Sequence, residues 1–332
     1  MTAPSKVLLD IRHISVAATD AQSTTPLVHD VSLQVNSGET LAIVGESGSG
    51  KTLTFLAALG IAPNNLKVTS GEVLFQGDDL TKLNPNELRK RRGTAISMVF
   101  QDPLSALNPV FSIGTQIIEV LRAHLPLTKA QARARAIELL ERVHIPDPAR
   151  RIDDYPHQFS GGMRQRALIA MAIALEPKVL IADEPTTALD VTVQAQVLEL
   201  LSELREETGM ALVLITHDLG LVARHADRVA VFYAGRVVEQ ATVQALFHEP
   251  RHPYTVSLFR TIPRLDSPTN MALTPISGQP PNLAQLPEGC PFAPRCYLAK
   301  PDCGSIQVKL RDTTNHEHLS ACQYWPDVQQ AS

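Results

Sequence analysis

Gly45-Glu46-Ser47-Gly48-Ser49-Gly50-Lys51-Thr52 is the stretch whose reading decides the fold of this 332-residue chain. It fits the G-x-x-x-x-G-K-[ST] pattern of a phosphate-binding loop, with the apolar run Leu41-Ala42-Ile43-Val44 before it and helix-compatible residues 53–59 after it. The order is therefore strand, loop, helix. The glycines permit positive φ and close backbone approach, so that successive N–H groups face phosphate oxygens at the partly positive start of a helix. In such a loop Lys51 reaches the β- and γ-phosphates and Thr52 ligates Mg²⁺. A ligand-free glycine turn does not require eight residues in this pattern between a strand and a helix, so the chain is expected to bind a nucleoside triphosphate.

Composition narrows the class. A net charge of −4 with 44% apolar residues describes an ordinary globular protein, and nucleic acid is not an expected partner. The richest apolar run, residues 167–175, is cut by Glu176-Pro177-Lys178 and falls short of the roughly 20 residues a membrane helix needs. Met1-Thr2-Ala3-Pro4-Ser5 carries no signal-peptide core, so a cytosolic location is expected unless a partner holds the chain at a membrane. The length suits one large domain with a smaller appendage.

Outward from the loop, the N-terminal side reads as β-structure. Val7, Leu8, Leu9, Ile11, Ile14 and Val16, then Val31, Leu33 and Val35, predict a small antiparallel sheet, joined by a strand over residues 71–77. The basic run Arg89-Lys90-Arg91-Arg92 reads as a solvated helix face. Residues 96–100 return to strand and deliver Gln101. From there to about residue 165 the chain reads as a helical insertion, with a capping box at Thr128-Lys129-Ala130-Gln131 and an apolar face through Ala130, Ala134, Ile137, Leu140 and Val143.

Ser160-Gly161-Gly162 then opens a helix with bare amides and a hydroxyl suited to phosphate oxygens, although a plain helix cap is the simpler reading. Because the chain already has one phosphate loop, a second such helix start is useful mainly to a nucleotide held by another subunit. Val179-Leu180-Ile181-Ala182 has the character of a fully buried parallel strand and ends in Asp183-Glu184. Carboxylates at the ligand edge of a doubly wound sheet suit Mg²⁺ organisation (Asp183) and polarisation of the attacking water (Glu184). Ala188-Leu189-Asp190 precedes a long helix, and the strand over residues 211–215 ends in His217, placed to bond a γ-phosphate or the water beside it.

Taken together and in this order, these motifs resemble those of the ATP-binding subunits of ABC transporters, over roughly residues 7–240. The resemblance implies an α/β P-loop NTPase core of the ABC type with an N-terminal antiparallel β subdomain and a helical insertion at about 102–165. It also implies two such domains closing head to tail, with Ser160, Gly161 and Gly162 on the partner's ATP and Asp190 in the seam. Gln101 would link the γ-phosphate and Mg²⁺ to transmembrane partners, and His217 would sense the γ-phosphate. His252-Pro253-Tyr254 and the segment from Gly289 to Cys296 further resemble the C-terminal extension of dipeptide and oligopeptide importer ATPases. The expected division is 6–249 for the nucleotide-binding domain and 250–332 for a small, loop-rich, cysteine-containing extension.

That group pairs two ATPases, usually different ones, with two permeases and an extracytoplasmic peptide-binding protein, at the cytoplasmic face of the inner membrane. Peptide is the first expectation for the cargo; relatives carry nickel chelates, glutathione or antimicrobial peptides. A non-transport ABC ATPase acting on DNA would need long coiled-coil insertions or tandem nucleotide domains. Here only about 130 residues separate Lys51 from Asp183, and the motif set occurs once. Two positions depart from the family pattern: Met163 stands where glutamine is common, and Ala17-Ala18 stand where an aromatic ring usually stacks on adenine. Stacking of that kind is worth roughly 1 to 3 kcal/mol, so modest ATP affinity and weak purine discrimination are expected of the isolated subunit.

Cys290, Cys296, Cys303 and Cys322 all lie near the C-terminus, separated by five, six and eighteen residues. These spacings match neither the paired C-x-x-C of zinc ribbons nor the ferredoxin runs. Four thiolates still make a plausible ligand set in a reducing compartment, and the resemblance suggests a [4Fe–4S] cluster, with zinc, free thiols or disulfides as alternatives. Either metal would act structurally, stapling a segment poor in apolar residues.

Overall fold

Runs that are apolar throughout become strands buried on both faces, and in the computed structural model these strands carry the functional residues at their ends. The structure describes residues 6–20, 23–187, 189–261, 275–314 and 318–331. The contacts divide the chain into two units: one holds the described residues to Leu9, Val35–Glu39 and Phe75–Leu214, the other Asp10–Gln34, Thr40–Leu74 and the described residues from Ile215 onward.

In the first unit Ile96–Val99 and Val179–Asp183 run parallel, Ile96 opposite Val179 and Val99 opposite Ala182, and Ala211–Ile215 lies on the other side of Val179–Asp183. Every residue of Val179–Asp183 is buried, as a parallel strand covered on both sides requires. The insertion is helical: Pro103–Ala106, Ile113–His124, Lys129–Arg142 and Pro148–Arg151. Thr128 and Gln131 form the expected capping box. The buried face of Lys129–Arg142 differs from the expected one: Ala132, Ala136, Leu139, Leu140 and Val143 are buried while Ala130 and Ala134 are exposed. Alternating alanines fit either face equally well, so the adjacent bulky Leu139 and Leu140 set the rotation of the helix.

In the second unit the strands lie in the order Arg311–Thr314, His318–Ser320, Arg236–Thr242, Arg228–Tyr233, Thr40–Val44. Neighbours are antiparallel until the last pair, where Thr40–Val44 runs parallel to Arg228–Tyr233 with Val44 opposite Val231. The strands Thr24–Asn36, Val7–Thr19 and Leu66–Phe75 form a separate sheet in that order. Leu66–Phe75 begins before the expected start at residue 71 and takes in the exposed residues 67–71, which periodicity could not register. A hydrophobic core joins Val44, Leu219, Val231 and Tyr233 to Tyr254, Phe292 and Ala321, with Cys290 and Cys296 packed against it. The cysteine segment thus shares its core with the strand that feeds the phosphate loop. Among the described residues no helix is long and apolar enough to cross a membrane.

Candidate nucleotide site

The phosphate loop leaves Thr40–Val44 and wraps onto the helix Lys51–Ala58. Gly45 has φ 151, and a Cβ there would lie 2.2 Å from the Phe232 carbonyl oxygen, so only glycine fits between the two strands. Gly50 caps the helix in the left-handed region at φ 95, without a side-chain cap. Lys51 is buried, and its Nζ donates to the carbonyls of Gly45 at 2.9 Å and Glu46 at 3.0 Å. Ser47 and Gly48 are exposed, Thr52 is half-buried, and the Ser49 hydroxyl is buried with no hydrogen-bond partner. An orphaned hydroxyl and a lysine folded onto its own loop suit a ligand rich in acceptor oxygens. Thr216 N–H bonds the Ile43 carbonyl at 3.1 Å, and the exposed His217 follows it.

The carboxylate pair lies in the first unit. Asp183 is buried at the end of its strand. Glu184, half-buried, adopts φ 42, a conformation sparsely populated by non-glycine residues and often found at functional sites. Its Oε2 accepts from Gln101 Nε2 at 2.8 Å and from Thr187 Oγ1 at 2.9 Å. Sequence brought Gln101 and Glu184 to one edge; Thr187 was missed, and only its position three residues on hinted at a role. A cleft of about 160 Å³ beside them is lined by Gln101, Leu104, Gly161, Arg164, Pro185 and Leu189.

Ser160 caps Gly161–Ile173, its Oγ accepting from Met163 N–H at 3.3 Å. Ser160 and Gly161 are exposed, whereas a Cβ on Gly162 would lie 2.5 Å from Val193 Cγ1. Asp190, exposed, caps Val191–Thr208 by accepting from Val193 N–H at 3.0 Å. Ala188 of the same motif lies outside the described residues. Ala17 is buried and Ala18 half-buried near the end of Val7–Thr19.

All four cysteines are half-buried and none is in a disulfide. Cys322 senses the charge of the other three, and Cys296 that of Cys290 and Cys303, so the thiols share one neighbourhood. Two of the sulfurs receive a backbone N–H: Cys296 from Leu298 and Cys303 from Lys300, each at 3.4 Å. Burial raises Cys290 and pushes Cys296 up to about 11 and Cys322 up to about 12. Among the described residues, however, no three His, Cys, Asp or Glu side chains stand close enough to hold a metal ion together.

Sequence reasoning also missed what grips Glu46. Arg295 forks onto its carboxylate at 2.8 and 2.9 Å, and Tyr254 Oη accepts its backbone N–H at 2.9 Å. Both residues stood in quoted motifs, but nothing local signals a contact across 249 positions.

A family model described as "ABC transporter" matches residues 28–187, and one described as "Oligopeptide/dipeptide transporter, C-terminal region" matches residues 238–303. The dipeptide transport ATP-binding protein DppD of Bacillus subtilis is 51% identical over 290 residues, covering 87% of this chain and 86% of its own length. The oligopeptide transport ATP-binding protein OppD of Haemophilus influenzae is 48% identical over 315 residues, covering 95% of this chain and 96% of its own. Among solved structures, a dimeric post-hydrolysis state of the ATP-binding cassette MJ0796 with ADP and Pi superimposes with a TM-score of 0.64 at 28% identity, over 71% of this chain and 99% of that one.

Proposed function

This chain belongs to the ATP-binding subunits of the ABC transporter family, and we propose that it is the ATP-hydrolysing motor of an importer for dipeptides or oligopeptides. The observation that carries the reading is the phosphate loop itself, wound on its glycines with Lys51 held inside it. Gly45, Glu46, Ser47, Gly48, Ser49 and Gly50 supply the amides, Lys51 the cation, and Thr52 with Asp183 and Gln101 the oxygen ligands that suit Mg²⁺. Glu184 polarises the attacking water, oriented meanwhile by Gln101 and Thr187. His217 bonds the γ-phosphate.

Ser160, Gly161 and Gly162 complete the site of a second ATPase, and Asp190 lines the seam; the exposure of Ser160, Gly161 and Asp190 supports this reading. The second ATPase is a different chain, so the motor is a heterodimer. Binding of ATP favours the closed pair and hydrolysis releases it, which shifts the population of the attached permeases. Exposed Leu104, Val110 and Phe111 in the insertion offer apolar surface to those permeases. The whole sits peripherally on the cytoplasmic face of the inner membrane and receives peptide from an extracytoplasmic binding protein. Residues 6–249 form the motor and 250–332 the extension.

Reconstitution with its permeases in vesicles, followed by MgATP-dependent uptake of labelled dipeptide, tests the reading. Uptake of a nickel chelate, glutathione or an antimicrobial peptide in place of dipeptide would redirect the cargo assignment. Affinity capture from membranes identifies the permeases, and recovery of only this ATPase would replace the heterodimer with a homodimer.

Cys290, Cys296, Cys303 and Cys322 suit a [4Fe–4S] cluster, with zinc as the alternative. Four thiols in one neighbourhood, with Cys296 and Cys303 each taking an N–H bond, suit a thiolate cluster. Cys290, Cys296, Cys303 and Cys322 would hold such a cluster, which would supply a cross-link within the segment, with N–H donors at Cys296 and Cys303. An anaerobic preparation that is colourless and free of iron would remove the cluster.

A further inference from the structure

We propose that Arg295 and Tyr254 are positioning residues for ATP binding, through which the C-terminal extension fixes the phosphate loop at Glu46 before nucleotide arrives. The inference rests on the ATPase reading and adds to it a role for a segment about 250 positions away.

Each polar group of residue 46 is occupied. Its N–H goes to Tyr254 Oη at 2.9 Å, its carboxylate to both terminal nitrogens of Arg295 at 2.8 and 2.9 Å, and its carbonyl to Lys51 Nζ at 3.0 Å. Arg295 is held in turn: Nη1 also donates to Tyr233 Oη at 3.2 Å, and Nε donates to the Ser277 carbonyl at 2.9 Å. Its side chain is 6% exposed, so the pair is not a solvated surface bridge. Beneath it Tyr233, Tyr254 and Phe292 form a buried aromatic cluster with centroids 4.5 to 5.3 Å apart. Phe292 and Arg295 come from the cysteine segment, Tyr254 from the helix Pro253–Phe259 and Tyr233 from the strand beside the loop's own.

Two consequences follow for ATP. A glycine-rich loop loses conformational entropy when it closes on phosphate, and contacts that order it beforehand reduce that cost at the binding step. Glu46 also places a carboxylate in a loop that must accept a triphosphate. Arg295 neutralises that carboxylate, and without Arg295 it would repel the ligand. Both effects act on affinity and leave the water-activating step alone.

Equilibrium titration of the full chain with MgATP, alongside ATPase kinetics, tests this. Arg295→Met is expected to weaken MgATP binding about 3- to 30-fold with kcat at saturation within about 2-fold, and Arg295→Lys to fall between it and the wild type. Adding Glu46→Gln to Arg295→Met should recover several-fold of the loss, because the stranded carboxylate is gone. A role limited to holding the cysteine segment together gives no such rescue. Tyr254→Phe, which keeps the ring and removes only the oxygen, should weaken binding by about 2- to 5-fold. Wild-type affinity in Arg295→Met and Tyr254→Phe, or loss in Arg295→Met that Glu46→Gln does not relieve, overturns the proposal. If Arg295→Met does not fold, Tyr254→Phe decides alone: weaker binding with kcat kept supports the proposal, and unchanged binding overturns it. Lys51→Ala is the separate control, because retained MgATP binding there would fail the ATPase reading instead.

Discussion

Two helices of this chain begin on glycine and present bare amides, and they are built in opposite ways. Lys51–Ala58 starts inside a loop pressed against Phe232, with Gly50 in the left-handed region and the loop's second residue clamped by Arg295 and Tyr254. Gly161–Ile173 starts at exposed residues, capped by its own Ser160, with Leu189 beside Gly161 and Val193 behind Gly162. The first is enclosed by residues of its own chain. The second is a helix end whose Ser160 and Gly161 lie exposed, as expected of half a site that another subunit's nucleotide completes.

The largest expected effect separates chemistry from assembly. Glu184→Gln should lower kcat by about 10²- to 10⁴-fold while ATP-driven pairing, followed by size-exclusion chromatography, persists. Near-normal hydrolysis would remove Glu184 from the water-activating role. Next, Ser160→Arg should cost about 10²-fold in pair-dependent hydrolysis but leave MgATP affinity of the isolated chain within about 3-fold. Equal losses in both would break the distinction between the two helix starts. Gly45→Ala, which drives a methyl group into the Phe232 carbonyl, should destabilise the chain by about 2 to 4 kcal/mol, read as a lower Tm in thermal melts.

The smallest effect concerns the clamp's support. His252 is buried and neutral, burial depressing it to about 3, and its Nδ1 accepts from Tyr254 N–H. Its folded value lies below the ordinary 6.5, so between those values the unfolded chain takes a proton that the folded chain refuses. Stability contributed here is complete above pH 6.5 and falls as the pH drops toward 3, by up to about 1.4 kcal/mol per unit, or about 2 kcal/mol at pH 5. Thermal melts at pH 7 and pH 5 should show the loss, and His252→Asn, which keeps an acceptor without the titration, should flatten it.

How much was legible varied with the range of the signal. The loop, the strand ending in Asp183-Glu184, the serine-glycine helix start and His217 could be read because each is a local pattern at the end of a local element. The rotation of Lys129–Arg142 could not, since alanines every second residue leave both faces equivalent until bulky neighbours choose. Thr187 was hidden in a turn, and the gathering of four irregularly spaced cysteines was only an expectation.

By itself the sequence determined which residues have the pattern of a phosphate loop, which carboxylates follow a buried strand, and which family the order of motifs belongs to. Such features are set by neighbours within a few residues, where backbone geometry and side-chain type suffice. Only the tertiary structure decided that Arg295 and Tyr254 close on Glu46 and that the cysteine segment packs into the loop's own core. Those contacts join residues more than two hundred positions apart, and what selects them is the shape and charge of surfaces that exist only once the core has packed.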